Sequence, residues 1–494
     1  MLPIARPGPA DRCAATMDAS MRMPAPRILT LGLVSCALLA TALTFDPRAP
    51  SRPSRSVLVG RSIDPALGIF NIDHVIFIVQ ENRSFDSYFG TFPGADGIPE
   101  GVCLPDPKFQ RCQHPYHDKN FFDRGGPHNE RASRITIDRG RMDGAVRALR
   151  AIGNACRANP ARHGCDQAIP GPNGAPDVMG YHTAHEIPNY WTYAQRFTLQ
   201  DRMFAPSDSW TLPAHLYLVS AWSATCHDLD PMQCRSDQKF PGFNAADDGR
   251  FWVPADGKPR PYVWADITWL LHTYGVSWAY YVGEDSCIKP PCSKPTEEST
   301  NPIMNPLPGF KTVEVTKQFK NVRPNTEFFD AAASGSLPSV SWVVPTLGVS
   351  EHPPDSIALG QRWVTQVVNA VMQGPEDQWL HTAIFITWDD WGGFYDHVKP
   401  IKIDENGYGI RVPGIMISPF ARRDFIDHQT LSFDAYLKLV EDRFLGGQRL
   451  DPLTDGWPDS RSTVRENAPE LGDLAQEFDF TQSPAPPLIL DPSP

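Results

Sequence analysis

The stretch His74-Val75-Ile76-Phe77-Ile78-Val79-Gln80 runs without a break into Glu81-Asn82-Arg83-Ser84-Phe85-Asp86-Ser87-Tyr88-Phe89-Gly90. Its apolar residues are all β-branched or aromatic and do not alternate with polar ones. Such a run is expected to be a strand buried on both faces, as strands of a parallel sheet are. The polar residues that follow would then stand at its carboxyl end, where open α/β sheets bind ligands. Similar short runs recur at wide spacing over Val276–Val282, Ser339–Val344, Ala383–Trp388 and Val412–Ile417. Helical patterns such as Gln361–Met372 and Phe433–Phe444 lie between or after them. The expected fold is α/β, with a mainly parallel central sheet and helices on both faces.

Composition narrows the class further. With 41% hydrophobic and 21% charged residues in 494, the chain has material for a large core and no signature of global disorder. Its 50 prolines and 36 glycines point to many ordered loops, the usual carriers of sites. A net charge of −12 argues against nucleic acid as a partner and offers no polybasic patch for anionic membranes. No stable protein partner is implied.

Near the N-terminus Arg22 and Arg27 precede an apolar run from Ile28 to Leu39, followed by Ala40-Thr41-Ala42. That order is the grammar of a secretory signal peptide, so residues 1–42 are expected to be a leader. The run is shorter than the roughly 18 to 20 residues of a membrane span, although extension to Phe45 would allow an uncleaved anchor. Leu33-Val34-Ser35-Cys36 also reads as a lipoprotein signal, early in the apolar run. The protein is therefore expected to be exported, periplasmic or extracellular, and membrane-anchored if the leader is retained. Residues 43–65 read as a linker, 66–450 as one catalytic domain, and 451–494 as a Pro- and acid-rich tail that wraps the surface or is disordered.

Eight of the ten cysteines lie beyond the leader and fall as close neighbours: Cys103 with Cys112, Cys156 with Cys165, Cys226 with Cys234, and Cys287 with Cys292. In an exported chain, local disulfides are the simplest scheme. No CxxC pair is present, which argues against a thiolate zinc site.

Three polar clusters carry the chemistry. Glu81-Asn82 offers a carboxylate beside an amide oxygen, two hard donors for a divalent cation, although such a pair also suits a turn. Asp389-Asp390 closes the run Ala383–Trp388 and leads into Trp391-Gly392-Gly393-Phe394-Tyr395-Asp396-His397. Adjacent carboxylates repel, and unless they are solvated they need a cation or strong donors. Ser207-Asp208-Ser209-Trp210-Thr211-Leu212-Pro213-Ala214-His215 turns from polar to apolar as if a helix began near Pro213. Thr211 there is either a helix cap or a nucleophile beside an anion site.

All three clusters occur in the order typical of one family. Glu81–Gly90, Thr211–Leu218 and Asp389–His397 resemble signatures of the bacterial phosphoesterases that include phospholipases C and acid phosphatases. Arg141-Met142-Asp143-Gly144, Met179-Gly180-Tyr181, Asn305–Phe310, Glu351-His352-Pro353-Pro354 and Arg411-Val412-Pro413 add to the likeness, which spans about residues 70 to 445. The resemblance implies an alkaline-phosphatase-like fold, with Glu81, Asn82, Thr211, Asp389 and Asp390 around one or more divalent metal ions (zinc, calcium, magnesium or manganese). It implies Thr211 as the nucleophile, and His352 and His128 as phosphate-contacting or acid/base groups. His128 is the looser match, because its surroundings depart from the common pattern. Val219-Ser220-Ala221 also departs, where a small Thr/Ser-Gly pair is usual.

The expected reaction is hydrolysis of a phosphate ester, of phospholipase C type on a phospholipid diester, with a broad acid phosphatase acting on monoesters as the alternative. A rival of another class is a secreted binding protein that keeps the fold without catalysis, which would be marked by loss of a ligand or of the nucleophile. His182, His185 and His215 read as structural, and Arg83, Asp86 and Tyr88 as supporting or turn residues.

Overall fold

The computed structural model describes residues 62–158, 175–239, 241, 261–289, 296 and 298–493, with only the helical backbone over 152–158. The expected leader and nearly all of the expected linker lie outside these residues. Eight strands form the central sheet: β1 His74–Gln80, β2 Thr198–Gln200, β3 Trp278–Val282, β4 Val322–Pro324, β5 Val340–Val343, β6 Thr382–Trp388, β7 Gly414–Ile417 and β8 Phe425–Asp427. Their order across the sheet is β4-β3-β5-β1-β6-β7-β2-β8. Only β7 runs against its neighbours; the other pairings are parallel. The five longer strands match the five runs expected from the sequence. The three-residue strands β2, β4 and β8 correspond to no apolar run in the sequence analysis.

The centre of the sheet follows from the opening stretch. From Val75 to Gln80 every residue of β1 is buried, as is all of β6. Both strands need cover on two faces, and they have it. On one face Tyr436 of helix Phe433–Phe444 packs at a tilt against Phe77 and Phe385, with ring centroids 5.0 and 5.3 Å away. On the other, Trp388 meets Tyr190 of helix Pro188–Arg196 edge-on at 5.1 Å. That helix is tied to Ile357–Met372 by Asn189 Nδ2 donating to Thr365 Oγ1. Each such aromatic side chain contributes about 1.5 to 3 kcal/mol on burial, so these layers hold the strand ends in register.

Two of the expected disulfides join short antiparallel pairs. Cys103–Cys112 staples Leu104–Asp106 to Arg111–Gln113, and Cys226–Cys234 staples Ala224–Cys226 to Cys234–Ser236. Cys287 is disulfide-bonded as well; Cys165 and Cys292 lie outside the described residues. Among the described residues no helix is long and apolar enough to cross a membrane.

Residues 451–493 send charged side chains deep into the fold. Arg461 donates to the carbonyls of Ser220 and Ala265, and Arg465 to the carbonyl of Pro206 and the carboxylate of Asp434. An acid-rich segment without hydrophobic period gave no sign of this, because it docks through polar groups.

Candidate active site

Parallel pairing decides what the strand ends bring together. Gln80 of β1 lies opposite Trp388 of β6, so Glu81-Asn82 and Asp389-Asp390 emerge side by side. Backbone bonds fix the turn: Asp389 N–H donates to Gln80 O at 2.9 Å and Arg83 N–H to Asp390 O at 2.9 Å. From the other flank, the segment after β5 is tied in by Glu81 N–H donating to Ser350 O at 2.9 Å. Three neighbouring strands, β5, β1 and β6, therefore end at one place. Asn82 has φ 65°, a left-handed conformation that asparagine accepts more readily than most residues.

Thr211 comes from a fourth direction. It is the first residue of helix Thr211–Ser220, and Trp210 before it makes no side-chain capping bond. The capping alternative is thus set aside: Thr211 lies within the helix, and its hydroxyl turns to Asp389. Asp389 Oδ1 accepts from the N–H groups of Asn82 and Asp390 at 3.1 and 2.7 Å. Asp389 Oδ2 is buried without a bond of good geometry, Thr211 being a neighbour that helps hold its charge.

Glu81, Asn82, Asp389 and Asp390 are all buried. Burial pushes the Glu81 carboxyl well up, and the charges of Asp389 and then Asp355 push it further. Asp390 is likewise raised well above the carboxylate range by burial and then by Asp389, and burial lifts Asp389 to about 6. Water cannot keep all three ionised here.

The donor set fits a divalent cation. Glu81 Oε1, Asp389 Oδ2 and His215 Nε2 are buried and unsatisfied, and the ligand atoms offered by these three residues lie within 4.8 Å of one another. Asn82 gives the same indication. One end of its amide is 2.8 and 3.2 Å from the two oxygens of Asp390, and the other is 2.9 Å from His352 Nε2. Facing Asp390 alone, the amide must present its NH2; facing a cation shared with Asp390, it presents its oxygen.

Both expected histidines border this cluster. His352 Nδ1 bonds Pro353 O at 2.8 Å, which directs Nε2 to Asn82. His128 stands edge-on to His352, with ring centroids 5.5 Å apart. A tight contact delivers it there: Gly126 N–H donates to Gly392 O at 2.9 Å, and a Cβ on Gly393 would lie 2.4 Å from Gly126 Cα. Glu351 anchors the His352 segment, accepting from Tyr88, Tyr190 and Trp388 at 2.7, 2.6 and 2.9 Å.

Arg83, Asp86 and Tyr88 have supporting positions. Arg83 Nη1 donates to the Asn82 carbonyl at 2.6 Å and Nη2 reaches Asp123 at 3.3 Å. Asp86, Asp396 and His397 form a second acidic cluster, but Arg411 fills it with bonds to both carboxylates. His182 bonds the Asp118 carbonyl and Asp123, and His185 bonds Glu186. His215, expected to be structural, instead lies against Glu81 and Asp389. Asp355, whose charge also reaches Glu81, carries no signal in the sequence that separates it from other loop acids.

Known proteins resemble the chain over most of its length. Phospholipase C B of Mycobacterium tuberculosis is 26% identical over 480 residues, covering 87% of this chain and 83% of that one. The non-hemolytic phospholipase C of Pseudomonas aeruginosa is 25% identical, covering 83% of this chain and 57% of that one. Among solved structures, a phosphonate monoester hydrolase from Silicibacter pomeroyi aligns with 10% identity and a TM-score of 0.25 over 57% of this chain and 72% of that one, too distant to bear on function. The profile of the Phosphoesterase family matches residues 72–445, from the residues just before β1 to the end of helix Phe433–Phe444. The chain belongs to the Phosphoesterase family and is a hydrolase of phosphoric esters, similar to phospholipases C.

Proposed function

We propose that the protein is an exported phospholipase C that cleaves a phospholipid diester through a phosphothreonine on Thr211, with a divalent cation held by Glu81, Asn82, Thr211, Asp389 and Asp390. The observation that carries this reading is the meeting of a helix-borne hydroxyl with three buried carboxyls that cannot all stay charged unaided. When bound, the cation would neutralise charge on the phosphoryl oxygens and lower the pKa of the hydroxyl beside it. Thr211 Oγ1 attacks phosphorus and gives its proton to Asp389, its neighbour. The bond from phosphorus to the diacylglycerol oxygen breaks, and that oxygen takes a proton from His352 Nε2, assisted by the adjacent His128. Water then attacks phosphorus and gives one proton to His352; the bond from phosphorus to Thr211 Oγ1 breaks, Asp389 returns a proton to that oxygen, and the phosphorylated head group is freed. Export is supported by the leader grammar and by the disulfides.

The test compares release of phosphocholine from phosphatidylcholine with release of phosphate from a simple aryl phosphate. The diester is expected to be the better substrate; the reverse order would make the protein an acid phosphatase. Dialysis against a strong chelator should abolish turnover, and a divalent cation should restore it. Thr211→Ala should lower kcat by on the order of 10^4-fold or more while the protein stays folded. A Thr211→Ala protein with full turnover would exclude the phosphothreonine.

A further inference from the structure

His215 sits one helical turn beyond Thr211, so the hydroxyl and the imidazole share one face of the same helix. Its ring is completely buried, and the identity of its tautomer can be read from its neighbours. Tyr280 donates its single hydroxyl proton to Met304 O at 2.5 Å. At 3.2 Å from His215 Nδ1 the same oxygen can then only accept, so Nδ1 carries the ring hydrogen. Nε2 is left with its lone pair. It has no hydrogen-bond partner, and a ring nitrogen of His215 lies within 4.8 Å of carboxylate oxygens of both Glu81 and Asp389; with Nδ1 engaged by Tyr280, Nε2 is the nitrogen left to face them. A buried lone pair facing two carboxyls is repulsive unless something positive lies between them. Fixing Nδ1–H on an oxygen while Nε2 points at carboxylates is the way metal-binding imidazoles are oriented.

Resting on the cation-dependent reading above, we propose that His215 Nε2 is a nitrogen ligand of the cation site beside Glu81 and Asp389, and that it makes the site select a borderline ion such as zinc over calcium or magnesium. Carboxylate and amide oxygens alone would serve a hard cation, whereas one imidazole shifts the balance towards borderline ions. His215 is thereby a determinant of metal identity, while Tyr280 is a positioning residue that holds its tautomer.

Mn2+ is the probe. The full protein is stripped with chelator and titrated with Mn2+, and pulsed electron paramagnetic resonance looks for directly coordinated 14N. Wild type should bind Mn2+ with one nitrogen coupling, and Zn2+ should displace it far more readily than Ca2+. In His215→Gln the coupling should vanish and Mn2+ affinity fall by more than about tenfold. Tyr280→Phe, which leaves the ring in place, should keep the coupling but weaken Mn2+ binding, an effect that a purely packing role would not produce. The wild-type spectrum needs no variant to fold. Bound Mn2+ without nitrogen coupling overturns the assignment of His215 and leaves the cation-dependent reading intact. Failure of wild type to bind Mn2+ or Zn2+ at all overturns both.

Discussion

At the scale of single residues, the site depends as much on two glycines as on its acids. Gly392 and Gly393 have φ 61° and 79°, and a Cβ on Gly392 would lie 2.4 Å from the Asn82 carbonyl oxygen. A side chain on Gly393 would strike Gly126 and push away the loop that carries His128. Gly393→Ala is therefore expected to cost well over the 1 to 2 kcal/mol of left-handed strain alone, and to depress turnover sharply. Gly456→Ala is the control, because that glycine has φ 80° but open space around it, and only the strain should register. Thermal melts and aryl phosphate hydrolysis on the two variants separate the effects. Much at this scale was legible: the three acids, Asn82, Thr211, His352 and His128 all converge. His215 was not, since a histidine between Ala214 and Leu216 in an apolar helix looks like core. The available signal was its spacing of four from Thr211, and it acquires meaning only if Thr211 lies inside the helix.

At the scale of elements, length decided what could be read. The runs in β1 and β6 bury seven-residue strands almost completely, and their composition announces it. Strands β2, β4 and β8 have three residues each, too few to carry a period, and they are recruited to the sheet by their neighbours. The turn after β6 is held by charge. Arg411, fully buried, donates to Asp86 at 3.0 Å and to Asp396 at 2.9 Å, and also to the carbonyls of Asp96 and Asp201. Arg411→Met would leave two buried carboxylates facing each other. The expected loss is about 3 to 5 kcal/mol of unfolding free energy, read from denaturant titration. Adding Asp396→Asn should recover part of it. If the single variant were as stable as wild type, the network would be ornamental to the fold.

At the scale of the whole molecule, the C-terminal segment is a brace behind the helix that carries Thr211. Arg461 holds the carbonyl of Ser220 at the end of that helix, and Arg465 holds Pro206 ahead of its start. The segment also contributes one member of a buried acid pair, Glu441 on helix Phe433–Phe444 and Glu466. Burial and then Asp434 raise Glu466 to about 7, and burial and then Glu466 push Glu441 well above its ordinary value. Neither Glu466 oxygen has a hydrogen bond of good geometry, Glu441 being the neighbouring carboxyl it interacts with. The sign of the consequence follows from which state keeps the Glu466 proton. The unfolded chain releases it near the ordinary value of 4.5, while the folded protein keeps it to about 7. The Glu466 contribution is therefore fully present below about pH 4.5 and is lost as the pH rises through about 7. Over that interval the loss from Glu466 amounts to about 3 kcal/mol. Glu466→Gln keeps a hydrogen-bond donor at every pH, so it should match wild type near pH 4.5 and exceed it by a few kcal/mol at pH 8. Urea unfolding of both proteins at the two pH values measures the difference directly. Equal slopes of stability against pH would mean that the pair titrates normally, and that the tail braces the Thr211 helix through its arginines alone.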